Sequence, residues 1–389
     1  MKIGIVGIGC TPFGELWEHG LYELLAQAQH QALADAQLST QQIGTIITSN
    51  MCASMLSGQG HLGAMAAESI GCSCPSVTVE AACASGGVAL RQALTIIEAG
   101  HAEIVMVNGV EKMTDVMAPE ATTALMAASH EEYEHFAGAT FAGLNALIAR
   151  LYMQAYGISK QQLATVSIKN HKHATTNPLA HFQKEITLAD YLKAPLVADP
   201  LSILDCSPLS DGATSLIICS QDFAKSYAQK HPDKPLVYII GSGQATDSLT
   251  LTKRETLLSF KATTQAAQQA YNQAGVSPCD IHAAEVHDAF TIIELIGLED
   301  LGLYPKGQAG LATEQGDTML GGKQPVNVSG GLKAKGHPIG ASGLSQIYEL
   351  TMQLRGHGGK RQVPQAQLGL AQNMGGCGTT SVVHILSNQ

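Results

Sequence analysis

The residue with the sharpest chemical setting is Cys83, in Val77-Thr78-Val79-Glu80-Ala81-Ala82-Cys83-Ala84-Ser85-Gly86-Gly87. A β-branched run ends at small residues, and a helix is predicted to begin just after the cysteine. Such a strand–turn–helix presents a nucleophile. The helix dipole and its free N–H groups favour a thiolate, and small neighbours let a thioester approach. A buried, inert thiol is the competing reading. A second candidate is His337, in Lys335-Gly336-His337-Pro338-Ile339-Gly340-Ala341-Ser342-Gly343. Glycine and proline fix its backbone and leave room beside it, which suits a general base. A third is His287, in Glu285-Val286-His287-Asp288-Ala289-Phe290, at the carboxyl end of a predicted strand. Open α/β sheets hold their ligands at that end. A fourth is the turn Gln372-Asn373-Met374-Gly375-Gly376-Cys377-Gly378, whose backbone N–H groups could hold an oxyanion. Together these residues read as a nucleophilic thiol with candidate bases and a turn able to hold an oxyanion.

Other patterns are weaker. Cys72 and Cys74 form C-x-C with no second pair to complete a zinc site. Cys10 and Cys219 end strands, Cys206 and Cys279 lie in loops, and Cys52 and Cys377 stay open as pocket residues. His130 and His135 are five apart, so they do not share a helix face as H-E-x-x-H requires. Gly7-Ile8-Gly9 lacks the third glycine of a dinucleotide fingerprint. No metal and no cofactor are expected.

The elements that carry these residues repeat. Ala32–Thr48 and Ala270–Val286 each read as a helix end, a turn and a β-rich run, offset by 238 residues from Ala32 to Ala270. Strand Ile3–Ile8 precedes the first copy and Leu236–Ile240 the second. Cys83–Gly87 with its helix follows the first, and Asn327–Gly331 with a longer turn and a helix to about Leu354 follows the second. Ile104–Asn108 and Leu368–Asn373 complete the series. Five elements in one order predict a duplication, each half a mostly parallel sheet covered by helices. The segment from about Met117 to Leu196 belongs to neither copy and reads as an inserted, partly helical loop domain, punctuated by Pro178, Pro195 and Pro200. The expected partition is 1–116 with 197–232, 117–196, and 233–389.

Composition narrows the class. With 389 residues, 45% hydrophobic, the chain can bury a large core. Only 14% are charged, which suggests surface buried between subunits. The net charge of −10 and the lack of a basic stripe argue against nucleic acid. Nine scattered cysteines read as reduced and cytoplasmic, and no apolar stretch is long enough to span a membrane.

The motifs AACASGG, DCSPLSDGA, EVHDAF, NVSGGLKAKGHPIGASG and QNMGGCG resemble, in order, those of the thiolase family. The stretch NHKHATTNPLAHF, Asn170–Phe182, is similar to the loop domain of its sterol-carrier-protein-type and archaeal branches. The resemblance covers nearly the whole chain. It implies an α/β fold of five layers, α-β-α-β-α, a homodimer or homotetramer, and acyl transfer to and from coenzyme A, with acyl-CoA as substrate and no cofactor. Archaeal-like members also imply a small OB-fold partner. By position, Cys83 would be acylated, His337 would activate it, and His287 would hold the enolate oxygen. The N–H groups of Cys83 and Gly375 would bind the thioester oxygen, and Ser207 would meet the pantetheine arm. Many members carry a second catalytic cysteine where this chain has Asn373 or Ala289, so the carbon–carbon step rests on other groups. Lys169, His171, Lys172 and His173 form a basic cluster that could meet the CoA phosphates, Lys172 foremost. A decarboxylating, carrier-protein-dependent condensing enzyme and a non-catalytic lipid-binding protein are the alternatives.

Overall fold

The computed structural model describes residues 2–389. Among the described residues eleven strands form: β1 (Ile3–Cys10), β2 (Thr45–Ser49), β3 (Ser76–Val79), β4 (Ile104–Glu111), β5 (Leu196–Ala198), β6 (Leu201–Ser202), β7 (Gly212–Cys219), β8 (Val237–Thr246), β9 (Ala283–Glu285), β10 (Leu368–Gly375) and β11 (Thr380–Ser387). Strands β5 and β6 make a small hairpin, and the other nine form one sheet ordered β3-β2-β4-β7-β1-β8-β11-β10-β9.

Read outward from the β1–β8 seam, the two sides of the sheet mirror each other. The sequence β1-β7-β4-β2-β3 on one side matches β8-β11-β10-β9 on the other. Val326 forms a single parallel bridge to Ala284 where β3 pairs in full with β2. The expected duplication is thus visible in strand order. It is visible in packing too. Gly7 and Gly9 of β1 lie under helix Leu21–Ala36, where a Cβ would sit 2.4 Å from the Ala32 carbonyl oxygen and 2.1 Å from that of Ala28. Gly241 and Gly243 of β8 lie under helix Lys261–Ala274, at 2.4 Å from the Ala270 oxygen and 2.0 Å from that of Ala266. The same close strand–helix approach is built twice, and it accounts for the Gly-x-Gly of the first strand.

Five layers follow from where the apolar faces meet. Helices Ser85–Glu98 and Ile339–Leu354 occupy the middle, with Ala89, Leu90, Leu94, Leu344, Ile347 and Leu350 buried between the two sheet halves. Helix Leu21–Ala36 covers one outer face. Helices Lys261–Ala274 and Thr291–Asp300 cover the other.

One expectation is corrected. The halves are mixed rather than mostly parallel: β2 pairs in parallel with β3 and β4, and β9 with β10, but β7 and β11 run antiparallel to both neighbours. The β10–β11 link is a four-residue turn, and so short a connection only joins antiparallel strands.

The insert is helical over Ala118–Met126, Phe141–Tyr156, Lys160–Ala174 and Leu188–Lys193. Helix Lys160–Ala174 is fastened to the second half by buried contacts. Lys169 pairs with Glu294 at 2.5 Å, Asn170 donates to Asp288 at 2.6 Å, and His173 Nδ1 meets the Asn327 carbonyl at 3.0 Å. No helix among the described residues is long and apolar enough to cross a membrane.

Candidate active site

Each central helix is entered through a turn that carries a candidate residue. At the first, β3 ends at Val79 and helix Ser85–Glu98 starts two residues after Cys83. Ala82 takes a left-handed φ of 52°, a strained conformation for a residue with a Cβ. Ser85 latches the turn: its Oγ accepts from the Ala81 N–H at 2.8 Å and donates to the Ala82 carbonyl at 2.6 Å. At the second turn, His337 precedes helix Ile339–Leu354. Between the turns lies a cavity of about 100 Å³ lined by Cys83, His287, His337 and Ser207, with apolar walls that include Met113, Leu125, Phe141, Phe290 and Ile293.

Cys83, His287 and His337 each offer one donor atom, and the three atoms lie within 4.8 Å of one another. The two imidazole rings stand edge to face, 5.3 Å between centroids. The Ser342 hydroxyl donates to the Pro338 carbonyl at 2.9 Å. Its oxygen therefore accepts from His337 Nδ1, at 2.7 Å. That bond assigns the proton to Nδ1 and leaves Nε2 as a bare lone pair, buried and without a hydrogen-bond partner. Burial, reinforced by Lys335, pulls the His337 pKa down to about 3. Burial, reinforced by His337, holds His287 well below its ordinary value. Both rings are neutral at pH 7, as a base and a hydrogen-bond partner should be.

The thiol itself corrects an expectation. Burial and the nearby Glu111 carboxylate push the Cys83 pKa up to about 12, although the N–H groups of Gly376 and of Cys83 oppose the rise. The helix N-terminus does not win: the resting thiol is protonated, so attack requires a base.

Two adjacent glycines stand where β10 ends and turns. Gly375 is the last residue of β10, opposite Thr380, with a Cβ position only 2.5 Å from the Ala81 oxygen. Gly376 lines the cavity, and its N–H favours the Cys83 thiolate. Asn373 is not in the cavity wall. Its Oδ1 accepts from the Gly87 N–H at 3.0 Å and its Nδ2 donates to the Cys83 carbonyl at 2.9 Å, so it clamps the nucleophile's turn to the central helix. Ser207 lines the cavity and donates its N–H to the Ala289 carbonyl at 2.8 Å.

The expected basic cluster does not form. Lys169 is buried against Glu294, and His171 and His173 are buried and driven down to about 4, chiefly by burial. A helix turns successive side chains to different faces, and only Lys172 of the four faces outward. Cys377, a candidate pocket residue in the sequence, does not line the cavity. It is buried, its sulfur meeting Asn145 Nδ2 at 3.5 Å. Cys52 is likewise buried and not in the wall.

Glu111 escaped notice in the sequence. It ends β4, the buried run Ile104–Glu111, and its two oxygens accept from Asn50 Nδ2 at 2.7 Å and from the N–H groups of Cys52, Met51 and Gly340 at 2.9, 3.0 and 2.9 Å. It gathers three segments around the cavity. A carboxylate closing an all-apolar run, at the strand end where ligands bind, was the available signal.

Residues 3–222 match the thiolase N-terminal domain family and residues 243–388 the thiolase C-terminal domain-like family. The chain belongs to the thiolase family. Among curated thiolase relatives, an acetyl-CoA acetyltransferase of Methanothermobacter thermautotrophicus is 43% identical, with 99% of each chain covered. One of Methanocaldococcus jannaschii is 40% identical over 100% of this chain and 99% of its own. Human sterol carrier protein 2 is 33% identical, covering 96% of this thiolase chain and 70% of that protein. Among solved structures, the Ltp2-ChsH2(DUF35) aldolase superposes with a TM-score of 0.85 at 26% identity, covering 100% of this chain and 98% of that one.

Proposed function

We propose that this thiolase-family chain transfers acyl groups to and from coenzyme A through a thioester on Cys83, condensing two acetyl-CoA to acetoacetyl-CoA or cleaving a 3-ketoacyl-CoA in reverse. The observation that carries the reading is the neutral imidazole of His337, with Nε2 free, beside the Cys83 thiol at an apolar cavity. As the sulfur attacks the carbonyl, His337 Nε2 takes the thiol proton. The N–H groups of Cys83 and Gly375 hold the developing oxyanion, an interaction worth ~3–4 kcal/mol for one donor in other enzymes. Collapse expels the CoA thiolate, which recovers the proton from His337. In the second half, His337, neutral again, removes the α-proton of another acetyl-CoA, and His287 holds the enolate oxygen. The enolate carbon attacks the acyl thioester, and Cys83 leaves as thiolate and is reprotonated by His337. Neither Ala289 nor Asn373 supplies a thiol, so the two imidazoles serve both halves.

In this reading Ser207, in the cavity wall, meets the pantetheine arm, and Lys172, the outward cation of its cluster, meets a CoA phosphate. The partition into 1–116 with 197–232, 117–196 and 233–389 fits the mirrored sheet and its insert. The uncovered edge strand β3, with Val77 half exposed, favours a dimer or tetramer. A small OB-fold partner is extended to this chain by analogy with the Ltp2-ChsH2(DUF35) aldolase, which carries a DUF35 component. Nine free cysteines fit a reducing, cytoplasmic compartment. Intact-mass spectrometry after incubation with acetyl-CoA tests the reading. It expects one acetyl group on the wild-type chain, none on Cys83→Ala, and acetoacetyl-CoA in solution. An unmodified wild type, or equal labelling of the variant, overturns it.

A further inference from the structure

The same cavity presents a second chemistry. Cys83, His287 and His337 are one sulfur and two imidazole donors, the ligand set that zinc and its soft neighbours prefer. Among the described residues they are the one group of three potential ligands whose donor atoms fall within 4.8 Å. Zinc bonds of ~2.0–2.3 Å place tetrahedral ligands roughly 3.3–3.7 Å apart, so the trio closes on a metal with about an ångström of side-chain motion. Both histidines are more than nine-tenths buried, and His337 Nε2 and His287 Nδ1 have no hydrogen-bond partner. Ser342 already holds Nδ1 of His337, the kind of outer contact that orients a ligating imidazole. The cavity leaves a fourth position open.

We propose that this trio binds one zinc-class divalent cation in place of substrate, and that metal binding and acylation of Cys83 exclude each other. The Cys83 S–H bond breaks as the sulfur–metal bond forms, and the proton passes to buffer. Each neutral imidazole contributes a lone pair and loses no proton. The metal's oxidation state is unchanged and no other reactant is needed. An acetylated Cys83 has no thiolate to give, and a metal-bound sulfur has its negative charge drawn to the cation, which itself fills the space the thioester carbonyl would need.

A competing soft-metal site exists at Cys72 and Cys74, half-buried with sulfurs 2.9 Å apart, but only two ligands meet there. The experiment therefore measures zinc affinity by competition with a chromophoric chelator, on the substrate-free chain, for the wild type, Cys83→Ala, Cys83→Ser, His337→Asn and the Cys72→Ser/Cys74→Ser double variant. The wild type and the double variant should each bind one tight equivalent. Cys83→Ala and His337→Asn should lose more than about 100-fold in affinity. Cobalt(II) added instead should give a sulfur-to-metal charge-transfer band that disappears when the enzyme is pre-acetylated. A tight equivalent that survives in both Cys83 variants, that follows Cys72 and Cys74, or that persists unchanged on the acetylated enzyme overturns the proposal. The chelator arm needs no acyl transfer, and only the acetylation arm rests on the proposed reaction. Cys83-dependent zinc binding without acetylation would therefore remove the reaction and leave the metal site standing.

Discussion

The two turns that enter the central helices occupy equivalent places in the two halves, yet their settings are opposite. From Gly71 to Cys83 no residue is fully buried, while from Pro325 to Ile347 every residue is. The nucleophile hangs from a short edge strand. The base sits at the end of a long internal turn that includes a π-helical segment, Gly331–Lys335, whose N–H groups at Leu332 and Lys333 are held by Asp288. Duplication supplied one scaffold. Divergence gave one copy an accessible sulfur and the other a desolvated imidazole with a fixed tautomer. Covalent catalysis needs both settings at once: the sulfur must be reached by substrate, and the base must stay neutral.

The largest expected effect comes from removing the buried partner. His337→Ala should reduce acyl-enzyme formation by roughly 10²–10⁴-fold, the ordinary contribution of a positioned base. Stopped-flow release of CoA measures it. The exposed turn should remain folded, and circular dichroism checks that. A loss below tenfold would mean that Cys83 ionises without its opposite number.

The seam between the halves is the next most sensitive place. A Cβ on Gly343 would lie 2.2 Å from Asn373 Oδ1 and 2.6 Å from the Gly87 nitrogen, in the contact between the central helices. Gly343→Ala must push apart the two helices or break the Asn373 clamp on Cys83. Overpacking of this kind costs about 3 kcal/mol. Urea unfolding should show that loss, together with a fall in kcat that Gly20→Ala, where a Cβ meets nothing within 4 Å, does not share.

Much of this contrast was legible in the sequence, because it lies in local chemistry. Small residues around Cys83, glycine and proline around His337 and the 238-residue offset all have local causes, and each stands where expected. What escaped was set by three-dimensional packing. The direction of β7 and β11 depends on which strand each returns beside. The Cys83 pKa depends on burial and on Glu111, 28 residues away in the chain. The basic cluster of Lys169, His171, Lys172 and His173 looked exposed because polar residues adjoin, yet Lys169, His171 and His173 all face inward. Gly376 was not singled out beside Gly375 because β10 continues to Gly375 before it turns, which puts the next residue in the cavity wall.

Glu111 tests the electrostatic side of the comparison. With the thiol raised to about 12, iodoacetamide alkylation of Cys83 should keep rising about tenfold per pH unit from 7 to 10 without a plateau. Glu111→Gln removes a raising charge, so its profile should move to lower pH and its rate at pH 8 should increase several-fold. Burial alone lifts the Glu111 carboxyl from 4.5 to about 7 against its four N–H donors. A carboxyl with a raised folded pKa contributes stability that is present in acid and lost as pH rises from 4.5 through about 7. The Gln variant should lack that sloping segment in urea titrations. A variant whose alkylation profile coincides with wild type would show that burial alone sets the thiol.

The smallest effect belongs to the bond that fixes the tautomer. Ser342→Ala leaves His337 in its cage of buried neighbours but removes the acceptor for Nδ1–H. A neutral hydrogen bond is worth about 1 kcal/mol, which corresponds to a fall in kcat of about five- to tenfold, with KM for acetyl-CoA little changed. The buried hydroxyl also donates to Pro338, so some stability is lost too, and that alone does not diagnose its role. The diagnostic is the split between kcat and KM, with Ser342→Thr, which keeps a hydroxyl, recovering most of the rate. If Ala and Thr behave alike, the imidazole keeps its tautomer without Ser342, and the desolvated pocket around the second turn is sufficient to define the base.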